Sequence, residues 1–281
     1  MSEVKVSIFH AGYCQNIEHL AIQGGRWKNI RFPAMFALIE HPGFGPMLFD
    51  TGYTFRFFEE TRRFPNSLYA RMTPVTLRED ELAVSQLSER GIRPHDVERV
   101  FISHFHADHV AALGDFPAAK YVYMPHAYGP VRDKHGFGAL RHGVIPGLFP
   151  ADFEEQSETV ALSNLRKLPK EFRPFTHGVD LLGDGSIMAV ELPGHATGQM
   201  GLILRAADGG VYFLVGDACW LRGAFEEARL PHPIANLLFS DPEAYKETVF
   251  DLAELHQKRP DIRIIPSHCA ETISKYSGQP I

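Results

Sequence analysis

A mixed α/β (α+β) fold is predicted by the sequence from three observations. Short apolar runs, rich in β-branched residues and bounded by Gly, Pro or Asp, recur along the chain as strands do. Longer segments between them carry helix start and stop signals. Hydrophobic residues make up 44% of the 281 residues, and no linker, low-complexity tract or charge block divides them, so we expect one domain over residues 1–281.

Eight apolar runs are predicted to form strands. They are residues 4–9, 34–40, 46–50, 98–103, 187–192, 200–205, 211–216 and 262–266.

Helices are predicted at three places. Residues Glu79–Arg90 form one, and residues 107–113 are predicted to turn into another. Asp241 is followed by Pro and Glu, which is typical of an N-cap, a first-turn proline and a first-turn carboxylate. This third helix is predicted to run through about Gln257, because Pro260 stops it.

A six-residue motif, His-Phe-His-Ala-Asp-His at residues 104–109, directly follows a predicted strand. In an extended segment, His104 and His106 project to the same side. Asp108 and His109 follow where the chain begins to turn, so they can point at a neighbouring position. Imidazole and carboxylate suit divalent transition metals, and this loop is therefore predicted to serve two of them. The competing interpretation is a surface loop that is rich in histidine by chance.

Three further polar residues, His195, Asp217 and His268, each follow a strand-like run with Gly or Pro nearby. Taken alone, each is more typical of a capped or hydrogen-bonded core residue. Together with the motif they repeat one arrangement, a strand and then a ligand, four times. Strand ends can converge on one edge of a sheet sandwich, so the joint pattern predicts one metal centre.

The order His-x-His-x-Asp-His, Gly-His, Gly-Asp and Ser-His resembles the metallo-β-lactamase superfamily. The segment Phe49-Asp50-Thr51-Gly52 matches the early Asp motif of that superfamily. The resemblance extends from about residue 5 to residue 268. It implies a four-layer αββα sandwich with a dinuclear metal site on one edge.

The resemblance also implies roles for individual residues. One metal would be held by His104, His106 and His195, the other by Asp108, His109 and His268, and both by a bridging Asp217. Asp50 would orient a ligand through a hydrogen bond, although local sequence alone is equally typical of a turn-forming Asp. Two divalent ions are implied, with zinc expected and manganese, iron or cobalt acceptable to the same ligand set.

A dinuclear site predicts hydrolysis. Two metals can hold a shared water as hydroxide and polarise a substrate oxygen, while Asp108 or Asp217 passes the proton to the leaving group. Within the superfamily the resemblance is to small-molecule lactonases, so the predicted target is an ester- or lactone-type carbonyl. One departure is Trp220: the acyl-homoserine lactonases have a catalytic Tyr three residues after the bridging Asp. The Trp indole N–H donates a hydrogen bond but cannot act as an acid.

Residues 124–180 are predicted to be a substrate-covering insertion, because connections this long are usually functional or carry helices of their own. Its aromatic residues Phe137 and Phe149, together with Trp220, are predicted to line the substrate pocket. The alternative is a packed helical insertion whose aromatic side chains belong to the core.

Other activities stay open at this point. A thioesterase similar to glyoxalase II or a phosphodiesterase of the same superfamily would share the metal set. From a different class, the chain could be a non-catalytic, metal-bound interaction module.

Composition limits the partners. The net charge of −6 and the absence of basic stretches argue against nucleic acid. No apolar run reaches membrane-spanning length and no signal peptide is recognised, so we expect no membrane partner. Cys14, Cys219 and Cys269 suit a reducing cytoplasm and are interpreted as packing residues. The expected partner is a small-molecule substrate, and the protein is expected to be a monomer or a homodimer.

Overall fold

Two β-sheets with helices make up residues 3–277, the part of the chain that the computed structural model describes. The first sheet has seven strands in the order β4-β1-β2-β3-β5-β6-β7. Their bounds are β1 Lys5–Ile17, β2 Asn29–Glu40, β3 Pro46–Phe49, β4 Val75–Thr76, β5 Arg99–Phe101, β6 Lys120–Tyr123 and β7 Ser157–Thr159. Strands β3, β5, β6 and β7 are parallel neighbours, so β3 and β5 end on the same edge of the sheet.

The second sheet has six strands in the order β13-β12-β11-β10-β9-β8. Their bounds are β8 Leu165–Lys167, β9 His177–Asp180, β10 Ile187–Glu191, β11 Met200–Arg205, β12 Val211–Gly216 and β13 Arg263–Pro266. Strand β11 is antiparallel to both β10 and β12, and β13 is parallel to β12. Strands β10, β12 and β13 therefore run in one direction and end on one edge.

The core lies between the sheets and on the outer face of the second one. Side chains of a strand alternate between faces. In β11, Leu202 and Leu204 join the large apolar cluster that also contains first-sheet residues such as Phe36, whereas Ile203 faces a second cluster. That second cluster includes Leu252 of the long helix after the N-cap Asp241. This alternation confirms the layered mixed α/β architecture.

The helices are mostly short. Their bounds are α1 Glu18–Ala21, α2 Arg56–Glu60, α3 Ser67–Met72, α4 Ala83–Ser88, α5 Ala107–Val110, α6 Gly129–Arg132, α7 Gly136–Arg141, α8 Phe153–Gln156, α9 Arg222–Glu226, α10 Pro242–Lys258 and α11 Ala270–Ser277. The predicted cap of α10 is confirmed, because the Asp241 carboxylate accepts hydrogen bonds from the N–H groups of Glu243 at 3.1 Å and Ala244 at 3.0 Å. Within residues 3–277, none of these helices combines the length and apolarity that crossing a bilayer requires.

Two predicted helices are shorter than expected. The prediction of one continuous helix over Glu79–Arg90 is wrong. A 3-10 turn at Glu79–Glu81 is followed by α4, and Leu82 between them has a non-helical ψ of 140°. The Glu81 carboxylate accepts from the Arg78 N–H at 2.8 Å and so caps the start of this turn, while Leu82 separates the turn from α4. Helix α5 likewise ends at Val110, before the predicted residue 113.

All eight predicted strands are present, but five strands were not predicted. Strands β4, β6, β7, β8 and β9 have two to four residues each. Strands this short carry too little periodicity to be recognised, and long-range pairing stabilises them instead. Strand β1 also extends to Ile17, well beyond the predicted residue 9, because Tyr13–Ile17 pair with β2.

The segment 124–180 is more than an insertion. Its strand β7 completes the first sheet, and β8 and β9 form one end of the second sheet. The segment therefore carries the chain from one sheet to the other. Its helices α6 and α7 contribute side chains to a cavity, described below.

Candidate metal centre

The seven predicted ligands lie at strand ends that meet on one edge of the molecule. His104, His106, Asp108 and His109 follow β5, His195 follows β10, Asp217 follows β12 and His268 follows β13. They form two groups, His104, His106, His195 and Asp217 in one and Asp108, His109 and His268 in the other. Within each group the potential ligand atoms all lie within 4.8 Å of one another. The structure thus brings together the residues that the sequence selected.

The first group surrounds a small polar space. The Nε2 atom of His195 lies 3.0 Å from Nδ1 of His106 and 3.3 Å from Oδ2 of Asp217. The ring centroids of His104 and His106 are 4.4 Å apart and nearly perpendicular. Three imidazoles and one carboxylate oxygen therefore converge, which is a donor set that suits a divalent transition metal.

The second group lies beside the first. The Nε2 atom of His268 is 3.3 Å from Oδ2 of Asp108, and Nε2 of His109 is 3.8 Å from the same oxygen. Both imidazoles therefore face one carboxylate.

Asp217 contacts both groups. Its Oδ1 lies 3.3 Å from Nε2 of His109 and 3.1 Å from Nε2 of His268, while its Oδ2 faces His195 in the first group. One buried carboxylate therefore lies between the two sets of imidazoles, as a bridging ligand must.

Hydrogen bonds behind the ligands orient their rings. Asp50 Oδ2 lies 2.7 Å from Nδ1 of His109, which leaves Nε2 of His109 facing the centre. Asp50 also accepts from the N–H and the hydroxyl of Ser103, both at 2.8 Å. The Pro33 carbonyl oxygen lies 2.8 Å from Nδ1 of His268 and orients that ring in the same way. Asp50 therefore contacts one of the predicted ligands, His109, on the side of the ring that faces away from the centre.

Ser103 and Pro33 were not found by sequence reasoning. The Ser103 hydroxyl lies 3.0 Å from Nδ1 of His104, so it touches both a ligand and Asp50. Its position next to the motif was a usable signal, but a serine at a strand end is common. The contact of Pro33 uses a backbone oxygen from a distant strand, and no sequence pattern marks it.

Orphaned polar atoms test whether a metal fits. His104 Nε2, His109 Nε2 and Asp217 Oδ1 are buried and have no hydrogen-bond partner among the described residues. Buried polar atoms are otherwise nearly always paired, and these three face the centre of the ligand groups. The donor set and its unpaired atoms fit divalent cations.

The charge states match that fit directly in the first group. Burial lowers the pKa of His104 and His195 well below the usual range, and burial lowers the pKa of His106 to about 4. Burial opposes ionisation of Asp217, but the imidazoles of His268 and His109 hold its pKa well below the usual range. Neutral imidazole and ionised carboxylate are the forms that bind metals.

In the second group, burial opposes protonation of both imidazoles, but the carboxylates of Asp108 and Asp50 raise the pKa of His109. The carboxylate of Asp217 likewise raises the pKa of His268, so a cation there displaces protons from the imidazoles.

The family model of the Metallo-beta-lactamase superfamily matches residues 35–268. The chain belongs to this superfamily. The N-acyl homoserine lactonase AttM of Rhizobium radiobacter is 24% identical over 100% of this chain and 98% of its own length.

Two solved structures share the fold of this superfamily member. An N-acyl homoserine lactone hydrolase with the product N-hexanoyl-L-homoserine at its catalytic metal centre has a TM-score of 0.73 at 19% identity, covering 97% of this chain and 96% of its own. AidC, a dizinc quorum-quenching lactonase in complex with a product, has a TM-score of 0.61 at 14% identity, covering 95% of this chain and 88% of its own. Fold, ligand set and family together make the protein a metallo-hydrolase.

A cavity of about 490 Å³ opens onto the first ligand group of this metallo-β-lactamase fold, through His106 and His195. Apolar side chains such as Phe105, Val144 and Phe239 form part of its wall. Ligand pockets are typically concave, largely apolar and furnished with a few polar groups. The cavity is the place where a small molecule can reach the ligands.

None of the three predicted pocket residues lines this cavity, although Trp220 lies beside the ligands. The Trp220 Nε1–H donates to Oδ2 of Asp217 at 3.0 Å, and its ring lies 5.5 Å from that of Phe239. Phe137 is 60% exposed and packs edge-on against Phe64. Phe149 is half-buried and packs against the core, with its ring centroid 5.1 Å from that of Phe153.

Proposed function

We propose that the protein is a dimetal hydrolase that opens a lactone or cleaves an ester-type carbonyl in a small molecule. The observation that carries this proposal is the position of Asp217, whose carboxylate contacts both ligand groups beside a cavity. One carboxylate between two ligand sets favours two cations at a separation that one substrate atom can span.

The cations we propose are two zinc ions. Nitrogen and oxygen ligands of this kind suit zinc, and manganese, iron or cobalt would be accepted by the same set. The dizinc lactonase AidC, which shares the fold, supports this choice. Seven ligands are also more than one catalytic zinc requires.

The cations and the side chains of the protein have different roles in the proposed reaction. When bound, the two cations supply an activated water molecule and polarise the carbonyl oxygen of the substrate. Asp108 or Asp217, the buried carboxylates of the two ligand groups, would accept the proton of the attacking water and return it to the leaving oxygen. Asp50, through His109, keeps one ligand ring in the orientation that this geometry needs.

The lactone or ester class follows from the relatives rather than from the metal site. AttM and the structurally similar hydrolase act on N-acyl homoserine lactones by name, and the latter holds a ring-opened product at its metal centre. We extend to this chain the bond type, an ester-type carbonyl, and not the particular substrate.

We also propose a reducing, cytoplasmic location. Cys14, Cys219 and Cys269 are all free and buried, although disulfides are common in oxidising compartments.

The test combines metal analysis with a substrate panel. Protein purified without chelator and reloaded with zinc is expected to hold close to two ions per chain and to hydrolyse lactones or aryl esters. Thioesters and phosphodiesters in the same panel test the glyoxalase II-like and phosphodiesterase alternatives. Metal-free protein is the control. A maximum of one ion at full activity, or preferred turnover of a phosphodiester or thioester, would contradict the proposal.

A further inference from the structure

Two cationic side chains of the cavity wall have no partner. Lys134, two residues before helix α7, and Arg141, the last residue of that helix, both line the cavity, and neither makes an ion pair or a side-chain hydrogen bond among the described residues. Arg132 in the same segment behaves differently, because it pairs with Glu154 at 2.7 Å. Two unpaired cations therefore face a space that also contains metal ligands.

The rest of the wall has no opposing charge. No aspartate or glutamate lines the cavity in the part of the chain that the structure describes, whereas the whole chain has a net charge of −6. His142 lines the cavity too, and its pKa is lowered by burial and then by Lys134 and Arg141, which places the three basic groups close together. The local charge is opposite in sign to that of the molecule.

Another part of the wall is apolar and open. Leu237 and Leu238 line the cavity and are 78% and 52% exposed, while Phe239 behind them is buried. Exposed leucines next to one another commonly mark a binding surface. A ligand that covers them needs a hydrocarbon portion.

We propose that the cavity selects esters or lactones with an apolar portion on Leu237 and Leu238 and a carboxylate bound by Lys134 and Arg141. This inference rests on the proposed function and adds the charge of the substrate to it. Arginine binds a carboxylate through two parallel hydrogen bonds, and an adjacent lysine adds a second charge. His106 and His195 line the same cavity, so one bound molecule can contact both the two cationic side chains and the ligand groups. An intact N-acyl homoserine lactone has no ionised group and would gain nothing from these cations.

The first experiment compares two monoaryl esters of one dicarboxylic acid. In one ester the second carboxyl group is free and ionised, and in the other it is a neutral amide. The double variant Lys134→Gln/Arg141→Gln is expected to raise KM for the anionic ester by ~10-fold or more, the scale of hydrogen bonds to a charged group. KM for the amide is expected to change by less than about twofold, since surface substitutions are otherwise nearly neutral. The matched control Lys167→Gln/Lys170→Gln removes the same charge from exposed residues outside the cavity and is expected to affect both esters equally.

The second experiment does not depend on turnover. Calorimetry with zinc-loaded protein compares 4-phenylbutyrate with 4-phenylbutyramide as probes. The wild type and the control are expected to bind the carboxylate more tightly than the amide, and the cavity double variant is expected to lose that preference. If the cavity variant still preferred the carboxylate over the amide, the carboxylate would be bound by the metals, and the inference would be wrong. If the wild type showed no preference, the inference would be wrong as well. If no ester or lactone is hydrolysed but this preference follows Lys134 and Arg141, the proposed function fails and the anion site stands.

Discussion

Asp217 is the residue on which the metal centre depends most directly. Its Oδ2 lies 3.3 Å from Nε2 of His195 in the first ligand group, and both of its oxygens lie 3.1 Å from Nε2 of His268 in the second. Replacing one oxygen by an amide nitrogen would remove a ligand and place N–H donors against imidazole Nε2 atoms. The residue therefore couples the two halves of the site.

We predict that Asp217→Asn loses at least one equivalent of bound metal and slows hydrolysis by ~10²-fold or more, since the activated water depends on both cations. Metal analysis and steady-state kinetics on the same preparation measure both effects. Asp241→Asn is the control, because it changes the same side chain at a helix cap outside the site. If Asp217→Asn kept the wild-type rate and metal content, Asp217 would not be a metal ligand and the prediction would be wrong.

Trp220 lies next to Asp217, where the lactonases that the sequence resembles have a tyrosine. Its indole N–H is already donated to Asp217, and the side chain has no acidic proton to give. Substrates with good leaving groups need less acid assistance, so they are expected to be favoured.

We predict that wild-type protein hydrolyses N-acyl homoserine lactones with kcat/KM below roughly 10⁴ M⁻¹s⁻¹, the lower end for enzymes on their own substrates. Trp220→Tyr is expected to improve turnover of lactones with poor leaving groups relative to aryl esters. Trp220→Phe is the control, since it removes the N–H without adding a hydroxyl, and it should not give that gain. Efficient wild-type turnover of these lactones would show the prediction to be wrong.

At the scale of the element, the turn after helix α7 positions a metal ligand. Gly143 has φ +67°, and a Cβ there would lie 2.5 Å from Cδ2 of His106. The Gly143 carbonyl oxygen also accepts from the N–H of Ala107, at the start of α5. The segment 124–180, which was predicted to be an insertion, therefore contacts the loop of residues 104–109 and restricts the position of His106.

We predict that Gly143→Ala weakens metal binding at the first group, because the methyl group displaces the His106 ring and the left-handed backbone adds roughly 1–2 kcal/mol of strain. A chelator competition assay measures the loss of affinity, and chemical denaturation measures the strain. Gly138→Ala is the matched control, since its Cβ would meet only the end of the Lys134 side chain at 3.8 Å. Equal metal affinity in both variants would contradict this account of the turn.

For the whole molecule, the predicted metal ligands come from parts of the chain that are far apart in sequence. Ligands come from the ends of β5, β10, β12 and β13, and these strands belong to both sheets. One apolar cluster also contains residues of both sheets, and we therefore propose a single domain. Cations that bind only the folded chain stabilise the whole of it.

We predict that removing the metals lowers the thermal unfolding midpoint by about 5 °C or more, because one ligand at 100 times its Kd contributes ~2.7 kcal/mol and each kcal/mol moves the midpoint by ~2–4 °C. Calorimetry of chelated and zinc-reloaded protein measures the shift. Asp217→Asn should show a smaller difference between the two states. An unchanged midpoint, with metal removal verified by analysis, would mean that the ligands are held without the ions.

Much of the ligand set was determined by local sequence. The motif 104–109 and the strand-then-ligand pattern at His195, Asp217 and His268 depend on neighbours a few residues away, and those neighbours impose the alternation and the turn. Asp50 was identified instead through the resemblance of Phe49-Asp50-Thr51-Gly52 to the early Asp motif of the superfamily. The long helix α10 was also predictable, because its N-cap, its first-turn proline and its periodic apolar residues follow one another along the sequence.

Tertiary structure alone decided the rest, because the contacts concerned join residues that no local pattern connects. The short strands β6 to β9 are stabilised by partners in other parts of the chain. The carbonyl of Pro33 reaches His268 across 235 residues, and a backbone oxygen leaves no trace in residue types. In the sequence, Lys134 and Arg141 are typical of ordinary surface cations. Only the folded structure shows that they line the same cavity as His106 and His195. Sequence spacing specifies which atoms can bind a metal, whereas the cavity that decides what reaches the metal is a product of packing between distant segments.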